Sequence, residues 1–233
     1  MRIVSVNLRK RLPVIGKIVE FWLDGLQCDL LVVQEPWHRK RVRPIELKGY
    51  RSLGGNTSVH SWLKSDNRQP RCSTLSTCWQ AIDFGSFRIY NVYLPAKSRA
   101  GRISTLSRLT RDVGRGERQP LIVLGDFNLA PTPEDGIYAD TISKFTSRSE
   151  RDAFANLVHS ARLLDMTSRE CLGHIEYSFQ PRAGRSKLSF RCDLALVSQA
   201  AAPLTSVRYD HQVREGPQAF TDHSALIVMT FLE

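Results

Sequence analysis

Leu121-Ile122-Val123-Leu124-Gly125-Asp126-Phe127-Asn128 is the stretch from which the rest of the chain is best read. Four consecutive apolar residues mark a strand buried on both faces. The strand runs into glycine and then a carboxylate. An apolar strand ending in a carboxylate places that charge at the sheet rim, where it meets a metal or a substrate without full desolvation. Asp126 and Asn128 are separated by one residue, so the two-residue period of a strand end points both side chains the same way.

The same grammar recurs on either side. Upstream, residues 87–94 read as a strand closing on Tyr93-Leu94-Pro95. A basic helix with Ile103, Leu106, Leu109 and Val113 on one side then leads into the central strand. At the N-terminus, a strand over residues 3–7 ends in Asn7, and Pro13 suits the first turn of a helix. Ile15, Val19 and Leu23, with Val14, Ile18, Trp22 and Leu26, recur at four-residue steps, which predicts a helix with a broad apolar face. Leu30-Leu31-Val32-Val33 follows as a buried strand ending at Gln34-Glu35. Residues 38–60 read as a basic loop and residues 59–94 as short strands. Downstream, Ser149-Glu150-Arg151-Asp152 fits a capping box ahead of a helix carrying Phe154, Leu157, Val158 and Ala161. Residues 192–197 and 225–231 are two more strands. Strands with interspersed helices and no obvious linker predict one α/β sandwich.

Composition narrows the function classes. A chain of 233 residues with 42% hydrophobic and 24% charged residues is an ordinary globular composition, not a disordered or collagen-like one. It is long enough for a core without staples, and one domain over residues 1–233 is expected. No stretch approaches twenty apolar residues, so no membrane span or membrane partner is expected. The opening residues read as a strand rather than a secretory signal. Thirty-three Lys and Arg against 23 Asp and Glu give +10, which suits a polyanionic partner such as nucleic acid. Cys28, Cys72, Cys78, Cys171 and Cys192 are odd in number, scattered and without zinc spacing, which predicts reduced thiols in an intracellular setting, cytoplasm or nucleoid/nucleus.

Polar residues at strand ends therefore form the candidate set: Asn7, Glu35, Tyr93, Asp126 with Asn128, Asp193 near the start of the 192–197 strand, and Asp222-His223 before the last strand. Singly, each has a plain reading. Asp126 is then a turn former, Asn7 a strand-end cap and His223 a partly buried histidine. As an ordered set they are harder to explain as turns. Of the tryptophans, Trp22 reads as core, Trp37 as packing or base stacking, and Trp62 and Trp79 as core or sheet surface.

In Val6-Asn7, VVQE (32–35), NVYLP (91–95), GDFN with LAPTPED (125–135), RCDLALVS (191–198) and TDHSAL (221–226), the chain resembles the endonuclease/exonuclease/phosphatase superfamily along its length. It is most similar there to exonuclease III-type apurinic/apyrimidinic (AP) endonucleases and to the endonuclease domains of non-LTR retrotransposons. The helix text of residues 149–165 and the aromatic segment of residues 177–190 share the likeness. Four features depart from it. Ala96 stands where an amide is usual, Thr221 where serine is usual and Phe190 where tryptophan is frequent, and the family's glycine-rich strand is hard to find in NTSVHSWLKSD. These departures leave the reaction class and put abasic-site specificity in question.

The resemblance implies a four-layer α/β sandwich, two mixed β-sheets packed face to face and flanked by helices. It implies a metal-dependent DNA phosphodiesterase of AP or nicking type, with or without 3′-exonuclease activity, acting on duplex DNA as a monomer. The alternatives are a retroelement endonuclease domain and a phosphodiesterase or phosphatase acting on a small or lipid substrate. The cofactor implied is Mg²⁺ or Mn²⁺ on Glu35, with Asn7 nearby and Asp222 as helper. By the same resemblance, Asp126 orients or deprotonates the attacking water, and Asn128 and Tyr93 hold phosphate oxygens. Asp193 fixes the tautomer of His223, which acts either as a cationic donor or as a base. Phe179 and Phe190 are placed beside the nucleotide. Lys97 and the acid-free group Arg182, Arg185, Lys187 and Arg191, together with the basic residues of 38–43, are expected to contact the DNA backbone.

Overall fold

The alternation of buried side chains along each strand explains the layering of this protein. The computed structural model describes residues 1–38, 45–65, 69–114, 119–139, 141–181 and 187–232. In chain order the elements are β1 (Arg2–Asn7), α1 (Leu12–Leu26), β2 (Leu30–Gln34), β3 (Tyr50–Gly55), β4 (Val59–Lys64), β5 (Arg71–Ser76), β6 (Trp79–Asp83) and β7 (Arg88–Tyr93). There follow α2 (Arg99–Gly114), β8 (Leu121–Asp126), β9 (Gly136–Tyr138), β10 (Thr141–Ile142), α3 (Arg148–Ser160), β11 (Leu163–Asp165) and α4 (Arg169–Leu172). The chain ends with β12 (Leu188–Phe190), β13 (Asp193–Ser198), β14 (Thr205–Asp210), α5 (Gln212–Glu215) and β15 (Ala225–Thr230).

Two six-stranded sheets result, ordered β14-β15-β1-β2-β4-β3 and β11-β13-β8-β7-β6-β5, with a small sheet β10-β9-β12. Each large sheet has one parallel pair, β1 with β2 and β7 with β8, and each pair is joined by a helix, α1 or α2. All other pairings in both sheets are antiparallel. On β1, Ile3 faces the opposite sheet and Val4 and Val6 face α1; on β8, Ile122 and Leu124 face inward and Val123 faces α2 and α3. The fold is the expected sandwich of helix, sheet, sheet and helix.

The inward layer is mostly aliphatic, and each fully buried side chain of this kind contributes about 1.5–3 kcal/mol. It also carries amides. Gln34 Nε2 donates to Ser5 Oγ (3.1 Å) and to Asn91 Oδ1 (2.8 Å) across the two sheets. The neighbouring strand lies so close here that Gly125, at φ 139°, has no room for a side chain. A Cβ would lie 2.1 Å from the Val92 carbonyl oxygen and 3.0 Å from Gln34 Nε2.

Three expectations are corrected. The segment 38–60 is not all loop. Residues 50–55 form β3, which is hard to see because it is half exposed and glycine-ended, and β4 begins at Val59. The capping box is Ser147 with Glu150, two residues before the expected one; the Glu150 side chain accepts from the Ser147 backbone and the Ser147 side chain from the Glu150 backbone. The buried face of α1 is narrower than expected. Ile15, Val19 and Leu23 are buried, Trp22 and Leu26 are half buried, and Val14 and Ile18 face outward.

Candidate active site at the sandwich rim

Strand parity delivers the polar set to one place. Asn7 shares the inward parity of Ile3 and Ser5, and Asp126 that of Ile122 and Leu124. Tyr93 follows Ile89 and Asn91, and Asp193 precedes Ala195 and Val197. The carboxyl ends of the four parallel strands lie at one rim, as do the amino ends of their antiparallel neighbours β13 and β15. Cα register puts Tyr93 beside Asp126 and Asp126 beside Asp193 in one sheet, and Asn7 beside Gln34 in the other. Ligands of open α/β sheets gather outside the carboxyl ends of parallel strands, and these residues are there.

The two rims are tied by side chains. Asn7 Nδ2 donates to Asp126 Oδ2 (2.8 Å), and Thr221 Oγ1 donates to the Asn7 carbonyl (2.6 Å). Asp126 Oδ1 accepts the Asn128 backbone N–H (2.8 Å), and Oδ2 accepts Asn128 Nδ2 (3.0 Å). Asn128 sits at φ 47°, a turn conformation that asparagine tolerates. His223 Nδ1 is 2.9 Å from Asp193 Oδ2, and the Phe179 ring lies 4.9 Å from the imidazole. Asp126, Cys192 and His223 each place one potential ligand atom within 4.8 Å of the others.

Burial sets the electrostatics. Complete burial pushes the Asp126 carboxyl up to about 7, opposed by the His223 charge and reinforced by Asp193. Burial alone would strip the proton from His223, but the Asp193 and Asp126 carboxylates outweigh it and raise the imidazole to about 9. The Tyr93 hydroxyl is raised by burial and by Glu35, to which it is hydrogen bonded, so it stays a protonated donor. Burial also keeps Cys192 a neutral thiol.

Glu35 stands just past β2 at φ 46°, and Lys10 Nζ is 3.2 Å from its Oε1. Asp222 pairs with Arg9 through Oδ2, while its Oδ1 is buried, without a hydrogen-bond partner, 4.0 Å from His223 Nε2. An orphaned buried carboxylate oxygen is costly, and a cation relieves that cost. Glu35, Asp222 and Asn7 offer oxygen donors, the set a hard divalent ion takes.

The remaining expected residues separate. Lys97, in the turn that leaves β7, and Lys187, just before β12, are exposed. Arg182 and Arg185 lie outside the described residues, as do positions 39–43 of the first basic run and 115–118 of the helical one. Arg191 is a correction. It is buried, with Nε and Nη2 each 2.7 Å from Asp135 and Nη1 2.7 Å from Asp165, and these carboxylates hold its pKa above the usual value despite burial. It anchors the LAPTPED loop to the start of β13 and is too deeply buried to contact DNA. Arg102 of the basic helix is likewise buried against Glu150 (2.6 Å). Phe190 is 5% exposed, its ring spent on Phe179, Phe145 and Gly136, so it backs Phe179 rather than facing the opening.

The sequence reading missed Ser178, whose Oγ accepts the backbone N–H of Cys192 (3.1 Å) and Asp193 (2.9 Å) and whose carbonyl accepts that of Ser224 (2.6 Å). It also missed Arg9 and Lys10, two and three residues past Asn7.

Comparison with known proteins bears on the fold and the family. No curated protein matches the chain in sequence. Among solved structures, the 3′ phosphatase NExo from Neisseria bound to a product DNA hairpin is similar, with a TM-score of 0.81 and 24% identity over 99% of both chains. An AP endonuclease from Archaeoglobus fulgidus gives a TM-score of 0.78 at 19% identity, also over 99% of both chains. An AP endonuclease from Leishmania major gives 0.77 at 17% identity over 98% of this chain and 87% of that one. At these identities the likeness shows a shared fold. The family pattern described as Endonuclease/Exonuclease/phosphatase matches residues 16–223, from α1 to His223. A match spanning both sheets and most of the rim residues places the chain in the endonuclease/exonuclease/phosphatase family.

Proposed function

We propose that the chain is a divalent-metal-dependent DNA phosphodiesterase, a nicking or AP-type endonuclease, working as a single catalytic domain and a monomer. The observation that carries this reading is the cluster at the rim. A buried Asp193–His223 couple and a buried Asp126 lie within one hydrogen-bond network that bridges both sheets through Asn7. Asp126, raised to about 7, accepts the proton of the attacking water near neutral pH. His223, raised to about 9, meets the phosphate as an imidazolium whose charge and orientation Asp193 holds. Tyr93 donates its hydroxyl to the same phosphate, and Asn128 orients Asp126. Glu35, with Asn7 and Asp222, would hold Mg²⁺ or Mn²⁺, which supplies polarisation of the phosphoryl oxygens and charge stabilisation of the leaving alkoxide. Lys97 and Lys187 reach backbone phosphates, in keeping with the net charge of +10. The Neisseria relative with its DNA hairpin supports a nucleic-acid substrate.

Purified protein is to be incubated with supercoiled plasmid and Mg²⁺, with and without EDTA. We expect nicking that EDTA stops and that Asp126→Asn and His223→Ala each abolish. Nicking that survives both substitutions would overturn the site. A duplex with one tetrahydrofuran abasic analogue, beside its undamaged twin, then separates AP-type incision from general nicking.

A further inference from the structure

We infer that Lys10 is a built-in competitor for the metal seat, an ammonium that a divalent cation must displace from Glu35 before the site is complete. This rests on the assignment of Glu35 as a metal ligand. Three observations lead to it. The two carboxylates of that seat are both taken by cations from consecutive residues of one turn, Lys10 on Glu35 (3.2 Å) and Arg9 on Asp222. The turn is built to do this. Arg9 and Lys10 both adopt left-handed backbone, at φ 49° and 64°, and the Lys10 N–H donates to the Glu35 carbonyl (2.6 Å). Two consecutive non-glycine residues with positive φ carry a backbone cost, and they persist where the surroundings fix them. Finally, Arg9 engages only one oxygen of Asp222 and leaves the other buried without a hydrogen bond, 4.0 Å from His223 Nε2. The cation pair therefore fills the carboxylate seat incompletely, which leaves a more highly charged ion something to gain.

Loading then exchanges charges. The divalent ion takes Glu35, and Lys10, 42% exposed at its side chain, swings free at the rim where a phosphate would lie. The freed ammonium is a phosphate donor, so metal and phosphate favour each other's binding through this residue. An exposed ion pair of this kind is weak and screened by salt, so the competition is modest and adjustable.

The test measures metal binding directly, by electron paramagnetic resonance titration of free Mn²⁺ into the full chain without DNA. Wild type, Lys10→Gln and Glu35→Gln are compared at 50 mM and 500 mM salt, each first shown by circular dichroism to be folded. We expect Lys10→Gln to tighten Mn²⁺ about three- to tenfold at the lower salt, with the gain shrinking at the higher salt, and Glu35→Gln to weaken it. Equal or weaker Mn²⁺ binding by Lys10→Gln, with Glu35→Gln still weakened, would overturn this inference and leave the metal seat standing. Unchanged binding by Glu35→Gln would overturn both.

Discussion

The two ends of the same strands are built on opposite plans. At one rim the inward positions are Asn7, Gln34, Tyr93, Asp126 and Asp193, with His223 beside them. At the other, Met1, Phe84, Phe87, Phe231 and Leu232, with Gln69, Pro70 and Ser86, line a more apolar cleft of about 540 Å³, in which Phe84 and Phe87 stack with centroids 4.8 Å apart. Apolar burial is what a sandwich needs for stability. Burying carboxylates against a histidine stabilises little, since desolvation takes back most of the attraction. The contrast teaches that the polar rim adds little to stability, while the apolar end secures the fold. Substitutions at the two ends should therefore fail in different ways.

The largest effect belongs to the polar rim. Asp193→Asn keeps the shape beside His223 but loses the charge that holds it protonated and oriented. The nicking rate should fall about 10³- to 10⁴-fold, or about 4–5 kcal/mol of barrier. Thermal stability should stay within about 1 kcal/mol of wild type. A variant that unfolds instead of merely slowing would erase the distinction between the ends. The mirror experiment is Phe87→Ala at the apolar end, a buried ring stacked on Phe84. It should cost about 3–5 kcal/mol in denaturant unfolding, while the folded fraction keeps the wild-type nicking rate. Lost activity in folded protein would show that the ends are coupled.

The smallest effect sharpens the contrast by locating a third kind of buried polar group. His60 is 2% exposed between Trp37 and Trp62, with ring centroids 4.9 and 4.3 Å away, and only its Nε2 has a partner, Ser52 Oγ. Burial pushes it down to about 4 with no carboxylate to counter it, the reverse of His223. A histidine with a lowered folded pKa contributes stability that is present above about 6.5 and lost as pH falls toward 4. Between pH 7 and pH 5 the wild type should lose about 2 kcal/mol that a His60→Gln variant retains, read from paired denaturant curves. Identical pH profiles would show that His60 titrates in the folded protein as it does in the open chain.

Much of this was legible because strand ends carry their own punctuation. Runs such as Leu121-Ile122-Val123-Leu124 can only be buried strands, and a polar residue closing each of them marks the rim. The β1–α1–β2 and β7–α2–β8 units, which fix the architecture, were read this way. What could not be read had no such signal. β9 to β12 have two or three residues each, too few for a period, and β14 alternates weakly, as TSVRYD. Arg191 looked like one more rim cation because its partners lie 56 and 26 residues away, at Asp135 and Asp165. Charge along a sequence shows where positive groups are plentiful; only the fold shows which are already neutralised. The same holds for Ser147. Two S-x-x-acid patterns overlap there, and extended backbone at Ser147 selects the first.

The place of β15 in the first sheet has a consequence for synthesis. β1 pairs on one side with β2 and on the other with β15, from which nearly the whole of this sequence separates it. At 5–20 residues per second, roughly 10–45 seconds pass between the emergence of the two. During that interval one edge of β1 is an open ladder of amides and carbonyls, the kind of edge that invites pairing with another nascent chain. Its closure by β15 also brings in the preceding turn that carries His223, so the interval ends with the event that completes the rim. A chain released early would be at once prone to aggregation and without a complete rim.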